Sequence, residues 1–225
     1  MTILLSLLLA VTISVSQSIA TYANVTESAC VSETNYMEEA FSILQPGTIL
    51  DRAEGTIYIG DSRFVQMDMY LDKGDKYVIA KVSQGYKWLV EEAIPMVNEI
   101  KESHPEIASW TIVSNLGIND LYNIDKYLLE YQRISECGDR LILISVNPCD
   151  GKRNSLNTEI DNFNTKLSTS EFEYLDTASY LKTDGFSTSD GVHYTKDTYI
   201  KIWNRINLYL NLTQKRLSGD LGLFN

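Results

Sequence analysis

The stretch "TIYIGDSR", residues 56 to 63, decides how the rest of the chain is read. Thr56, Ile57, Tyr58 and Ile59 are β-branched or aromatic and favour a strand. They run straight into Gly60, Asp61 and Ser62. A strand that stops at a glycine and then presents a serine is either an ordinary strand-to-helix turn or a device that holds a hydroxyl at the edge of a sheet.

Similar apolar runs recur at 77–82, 110–114, 140–146 and 172–176, separated by segments with helical spacing. In 123–136 the apolar positions Ile124, Tyr127, Leu128, Tyr131 and Ile134 recur at three and four. Asn123 is placed as an N-cap and Gly138 just past the end. A last helix starts after Thr195 and carries Tyr199, Ile202, Trp203, Ile206 and Leu210 on one face. Strand and helix alternating five times predict an α/β fold with a five-stranded parallel sheet covered on both faces. Ligands of such sheets bind at the carboxyl ends of the strands. The residues there are Gly60-Asp61-Ser62, Ser83-Gln84-Gly85, "NLGIND" (115–120) and Asn147-Pro148-Cys149. "SDGVHYT" (189–195) lies before the last helix.

The 225 residues suffice for one well-packed domain, and the absence of low-complexity tracts predicts a folded one. The net charge of −11, with Lys and Arg scattered rather than clustered, argues against nucleic acid or an anionic membrane as partner. The first residues differ in kind. "ILLSLLLAVTISVS" is apolar but shorter than the roughly 18 to 20 residues of a membrane span. It is followed by small residues, Ser18-Ile19-Ala20 and Thr21-Tyr22-Ala23, that suit signal-peptide cleavage. The expected organisation is therefore a signal peptide over 1–23, an extension over 24–54, a domain over 55–217 and a tail over 218–225. The extension holds one helical candidate, "YMEEAFSIL". This predicts a secreted or cell-surface protein without stable membrane insertion after cleavage. The lack of Lys or Arg near the start keeps an uncleaved anchor as the alternative.

Cys137 and Cys149 flank a strand of about eight residues, which holds its ends about 26 Å apart. A disulfide needs Cα atoms within about 7 Å, so these two should not pair; Cys30 is left to pair with one of them or with neither. Two sequons, at Asn24 and Asn211, matter only where the source glycosylates.

Of the two histidines, His104 sits at the polar end of a helix before Pro105, as a solvated terminus would. His193 lies in a glycine-containing loop, three residues after Asp190. It is either a loop residue capping backbone groups or a general base held by a carboxylate. Asn119 is either an Asx-turn residue or an amide that donates into the crevice Ser62 enters. Gly85 either opens a helix or lets a backbone N–H approach a substrate with no side chain in the way. Other chemistries lack their residues. The histidines are too few and too far apart for a metal site, and CxxC, GxGxxG, GxxxxGK[ST] and GxSxG are all missing, so no cofactor is expected.

"GDSR" after the first strand, Gly85 after the second, "GIND" after the third and "DGVH" before the last helix together resemble the four blocks of the SGNH hydrolases, the GDSL-like esterase superfamily. The resemblance covers about residues 56 to 212. It implies a flavodoxin-like three-layer α/β/α sandwich and a serine esterase. Ser62 would be the nucleophile, His193 the base and Asp190 its orienting partner. The N–H groups of Ser62 and Gly85 and the Asn119 amide would form the oxyanion hole. Asp61 and Asp120 would shape their turns. The departure is Arg63, where many members have Leu; it is expected to place a cation near the site that binds polar or anionic substrates. The implied partner is an acylated small molecule or a glycan carrying O-acetyl groups. An acyltransferase and a non-catalytic binding module remain the alternatives. Oligomeric state is left open.

Overall fold

The computed structural model describes residues 53–70 and 76–217, all within one unit spanning Leu50–Asn225. The expected signal peptide over 1–23, the helical candidate "YMEEAFSIL", Cys30, the Asn24 sequon and the 218–225 tail lie outside the described residues.

Five parallel strands, β1 (Ala53–Gly60), β2 (Tyr77–Ala80), β3 (Ile107–Asn115), β4 (Arg140–Ile144) and β5 (Glu173–Leu175), form one sheet in the order β2-β1-β3-β4-β5. This is the flavodoxin-like order, and the direction of winding reverses between β1 and β3. The strands begin and end where backbone pairing does. Ala53 and Glu54 extend β1 by pairing with Ile107 and Ser109 across a bulge. β2 stops at Ala80, short of the apolar run, and Ser83 then turns the chain at φ 60°. Hydrophobicity marks a strand's buried part and not the polar residues that pair at its ends.

Alternation along β1 assigns the two faces. Ile57 and Ile59 join one core cluster and Tyr58 the other, all three with no exposed surface. Burying each such side chain contributes about 1.5–3 kcal/mol. The Ile57 face is covered by α3 (Ile94–Ser103), α4 (Ile124–Glu136) and α5 (Asn157–Ser168), through Val97, Tyr127, Tyr131, Ile160 and Phe163. The Tyr58 face is covered by α1 (Ser62–Tyr70), α6 (Thr177–Asp184) and α7 (Lys196–Leu217), through Phe64, Met67, Leu181, Tyr199, Ile202 and Ile206. The result is the expected three-layer sandwich. Among the described residues no helix is long and apolar enough to cross a membrane.

Two local details go beyond the sequence reading. Asn123 takes the N-cap position of α4 as expected, but its side chain caps no helical N–H; its amide donates to Asp120 instead, at 3.0 Å. Between β2 and β3 the helix opens as the short α2 (Tyr86–Trp88) and passes through a π turn, Leu89–Ala93, before α3. Pro95 near the start of α3 has no N–H to give and its ring crowds the preceding turn, which the wider turn accommodates. No disulfide joins Cys137 to Cys149.

Candidate active site

α1 begins without a spacer: Gly60 ends β1, Asp61 caps and Ser62 is the first helical residue. The Asp61 carboxylate accepts the Arg63 N–H at 2.9 Å and its carbonyl accepts the Val65 N–H at 3.0 Å. These bonds hold Ser62 at the helix N-terminus, where first-turn N–H groups have no partner inside the helix and the dipole favours negative charge. Asp61 is buried, and this burial pushes its carboxyl up to about 6, against the opposing pull of Arg63 and His193.

The second component arrives 131 positions later. His193 Nε2 lies 2.9 Å from Ser62 Oγ, and His193 Nδ1 lies 2.6 Å from Asp190 Oδ2. The other Asp190 oxygen, Oδ1, accepts the N–H groups of Val192 (2.9 Å) and His193 (2.8 Å). These contacts, the His193 N–H foremost and the imidazole next, hold the Asp190 carboxyl well below the usual range. The loop is itself a small closed hairpin. Thr188 pairs with Tyr194, and Ser189 N–H donates to the His193 carbonyl at 2.8 Å. His104 is elsewhere, bonded to Tyr77 at the start of β2 and to Glu106. It sits at the amino ends of the strands, away from the crevice.

The third component is a pair of loops. Asn119 Nδ2 donates to the Gln84 carbonyl at 2.7 Å, which places its amide beside Gly85; a primary amide has a second hydrogen to give. Asp120 joins the same loops more firmly. Its carboxylate accepts Tyr86 N–H (2.8 Å), Asn123 Nδ2 (3.0 Å) and Tyr127 Oη (2.7 Å). A Cβ at Gly85 would lie 2.5 Å from that carboxylate, so glycine is required here by close approach.

Arg63 corrects an expectation. It is 3% exposed, so it offers no cation to a substrate in solvent. Nε donates to the Val192 carbonyl at 3.0 Å, Nη1 to the Asn147 carbonyl at 2.7 Å and Nη2 to Cys149 Sγ at 3.3 Å; the guanidinium also lies over the Tyr194 ring. Sequence reasoning also missed the polar set under the end of β4. Ser145 Oγ accepts the Thr177 and Ala178 N–H groups, and Asn115 Nδ2 donates to the Ser145 carbonyl. Nothing in their spacing signals this, because their partners come from distant elements. Among the described residues no group of three or more His, Cys, Asp or Glu side chains is placed to hold a metal ion.

No family model and no curated protein matches the chain. Its fold, in contrast, has solved counterparts. The C-terminal catalytic domain of Streptococcus pneumoniae peptidoglycan O-acetyltransferase A superimposes with a TM-score of 0.53 at 19% identity, over 72% of this chain and 96% of that one. A candidate acylhydrolase from Bacteroides fragilis gives 0.53 at 16%, over 81% and 99%. With the strand order and the four motif blocks, these likenesses give the chain the α/β/α fold of the SGNH hydrolases.

Proposed function

We propose that this protein is a serine esterase that cleaves small acyl esters through an acyl-enzyme on Ser62. One observation carries the reading: a serine at a helix N-terminus, a histidine and a carboxylate lie in a continuous hydrogen-bonded chain at the carboxyl edge of a parallel sheet. In the reaction His193 Nε2 takes the Ser62 proton as Oγ attacks the ester carbonyl. Asp190 holds the imidazole and stabilises its cation. The Ser62 and Gly85 N–H groups and the second Asn119 amide hydrogen receive the oxyanion. His193 then returns its proton to the departing alcohol and activates the water that releases the acid.

Among the described residues the links from β1, β2 and β3 to the next helical segments are short, too short for any of the three to form a large lid. An open crevice suits a small acyl group on a bulky alcohol, such as O-acetyl on a polysaccharide or cell-wall glycan. The leader-like residues 1–23 support an extracytoplasmic site of action. A second reading is favoured by the likeness to an O-acetyltransferase domain: the same acyl-enzyme would pass its acyl group to a sugar hydroxyl instead of water.

A fluorophosphonate should label Ser62 alone, and Ser62→Ala should abolish labelling; labelling that persists in that variant removes Ser62 from the role. Acetylated glycans and short acyl esters, with and without an acceptor sugar, then separate hydrolysis from transfer by the product formed.

A further inference from the structure

We infer that Arg63 is the positioning residue that sets the distance between nucleophile and base. The inference rests on Ser62 and His193 being the reacting pair. Arg63 follows Ser62 in the chain, and Val192 and Tyr194 flank His193. The guanidinium holds both flanks: Nε donates to the Val192 carbonyl at 3.0 Å, and Cζ lies over the Tyr194 ring, 5.0 Å from its centre. The immediate neighbours of the two reacting side chains are thus bonded to each other, one residue away from the Ser62–His193 bond.

The histidine loop has other attachments, but they lead elsewhere. Asp150 N–H donates to the Gly191 carbonyl at 3.0 Å, Thr188 Oγ1 donates to Asp150 Oδ1 at 2.5 Å, and Tyr194 Oη donates to the Pro148 carbonyl. All three tie the loop to the segment leaving β4. The Arg63–Val192 bond ties it to the nucleophile side. Nη1 on the Asn147 carbonyl and Nη2 on Cys149 bring in the β4 exit as well, so one buried side chain joins α1, the loop and that exit. A leucine here would fill space without bonding any of them. A lysine would keep the charge but offers its donors from one point, whereas guanidinium spreads them over a rigid fork.

A residue that acts by aligning the pair changes the rate of Ser62 attack, not the amount of competent enzyme. The test is the time course of fluorophosphonate labelling for the wild type, Arg63→Leu, Arg63→Lys, His193→Ala and the double variant His193→Ala/Arg63→Leu. Misplacing a reacting group by about 1 Å costs on the order of 10²-fold. Arg63→Leu is therefore expected to label fully per folded molecule with a rate constant about 10- to 100-fold lower, and Arg63→Lys to recover little of it. In the His193→Ala background Arg63→Leu should cost less than about twofold, because a residue acting through histidine has nothing left to align.

A purely structural role predicts reduced labelling amplitude and melting temperature with an unchanged rate constant, and that result overturns the inference. Equal losses in both backgrounds overturn it too, since Arg63 would then act independently of His193. If Arg63→Leu does not fold, Arg63→Lys decides by the same criteria. A wild type that never labels sinks the Ser62 assignment itself, and this inference with it.

Discussion

Asp190 divides its two oxygens between two tasks, one on the imidazole and one on the backbone of its own loop. Asp190→Asn separates them. Its retained carbonyl oxygen still accepts the two N–H groups, but an NH2 then faces Nδ1 and favours the wrong tautomer. Turnover should fall by about 10²- to 10⁴-fold at a nearly unchanged melting temperature. A fall in melting temperature with turnover kept would reduce Asp190 to a loop former. Asp61 makes a prediction in pH. Its folded carboxyl is pushed up to about 6 against an ordinary 3.8, so between these values the folded state holds a proton the unfolded state has lost. Stability from this group is complete below the lower value and declines as pH rises through the upper one, by about 3 kcal/mol at most. Asn at position 61 caps as well as Asp and carries no charge. Asp61→Asn should therefore raise the melting temperature relative to wild type more at pH 7.5 than at pH 4.5; an equal difference at both would refute the buried-charge argument.

At the scale of elements, the β2 and β3 exits behave as one unit because Asp120 fastens them together. Gly85→Ala drives a Cβ into a carboxylate held by three donors, which cannot swing away as a flexible side chain would. Overpacking of this kind costs about 1–3 kcal/mol, and kcat should fall as the Gly85–Asn119 shelf shifts. Gly138→Ala is the control. It meets nothing within 4 Å but sits at φ 85°, so it should lose stability and leave kcat unchanged in a steady-state assay. The existence of the strands and the faces of α4 and α7 were legible in the sequence, because strands buried on both faces read as short apolar runs and burial on one side of a helix imposes a period. The bulge at the start of β1, the π turn before Pro95 and the bond of the Asn123 amide to Asp120 were not. Each depends on what a neighbouring segment offers its backbone.

For the whole molecule, the sheet, both helical layers and every candidate site residue fall within Leu50–Asn225. A chain that starts at Leu50 should therefore unfold in one cooperative thermal transition and still label with a fluorophosphonate. Loss of either property would assign residues 1–49 a part in folding or in the site.

The sequence by itself determined the α/β alternation and the candidate residues of all four blocks. Strand ends are punctuated by glycine and polar turn residues, and histidine is scarce enough for its place before the last helix to stand out. Only the tertiary structure decided what these residues do to one another. Ser62 and His193 are brought to 2.9 Å by the winding of the sheet, over a separation no local pattern encodes. The same holds for Arg63. Read along the chain it is a cation beside a nucleophile; folded, it is 3% exposed and bonded to the loop that carries the histidine. Burial and long-range partners belong to the packed sheet and not to any stretch of sequence, and those decide whether a charge meets a ligand or a carbonyl.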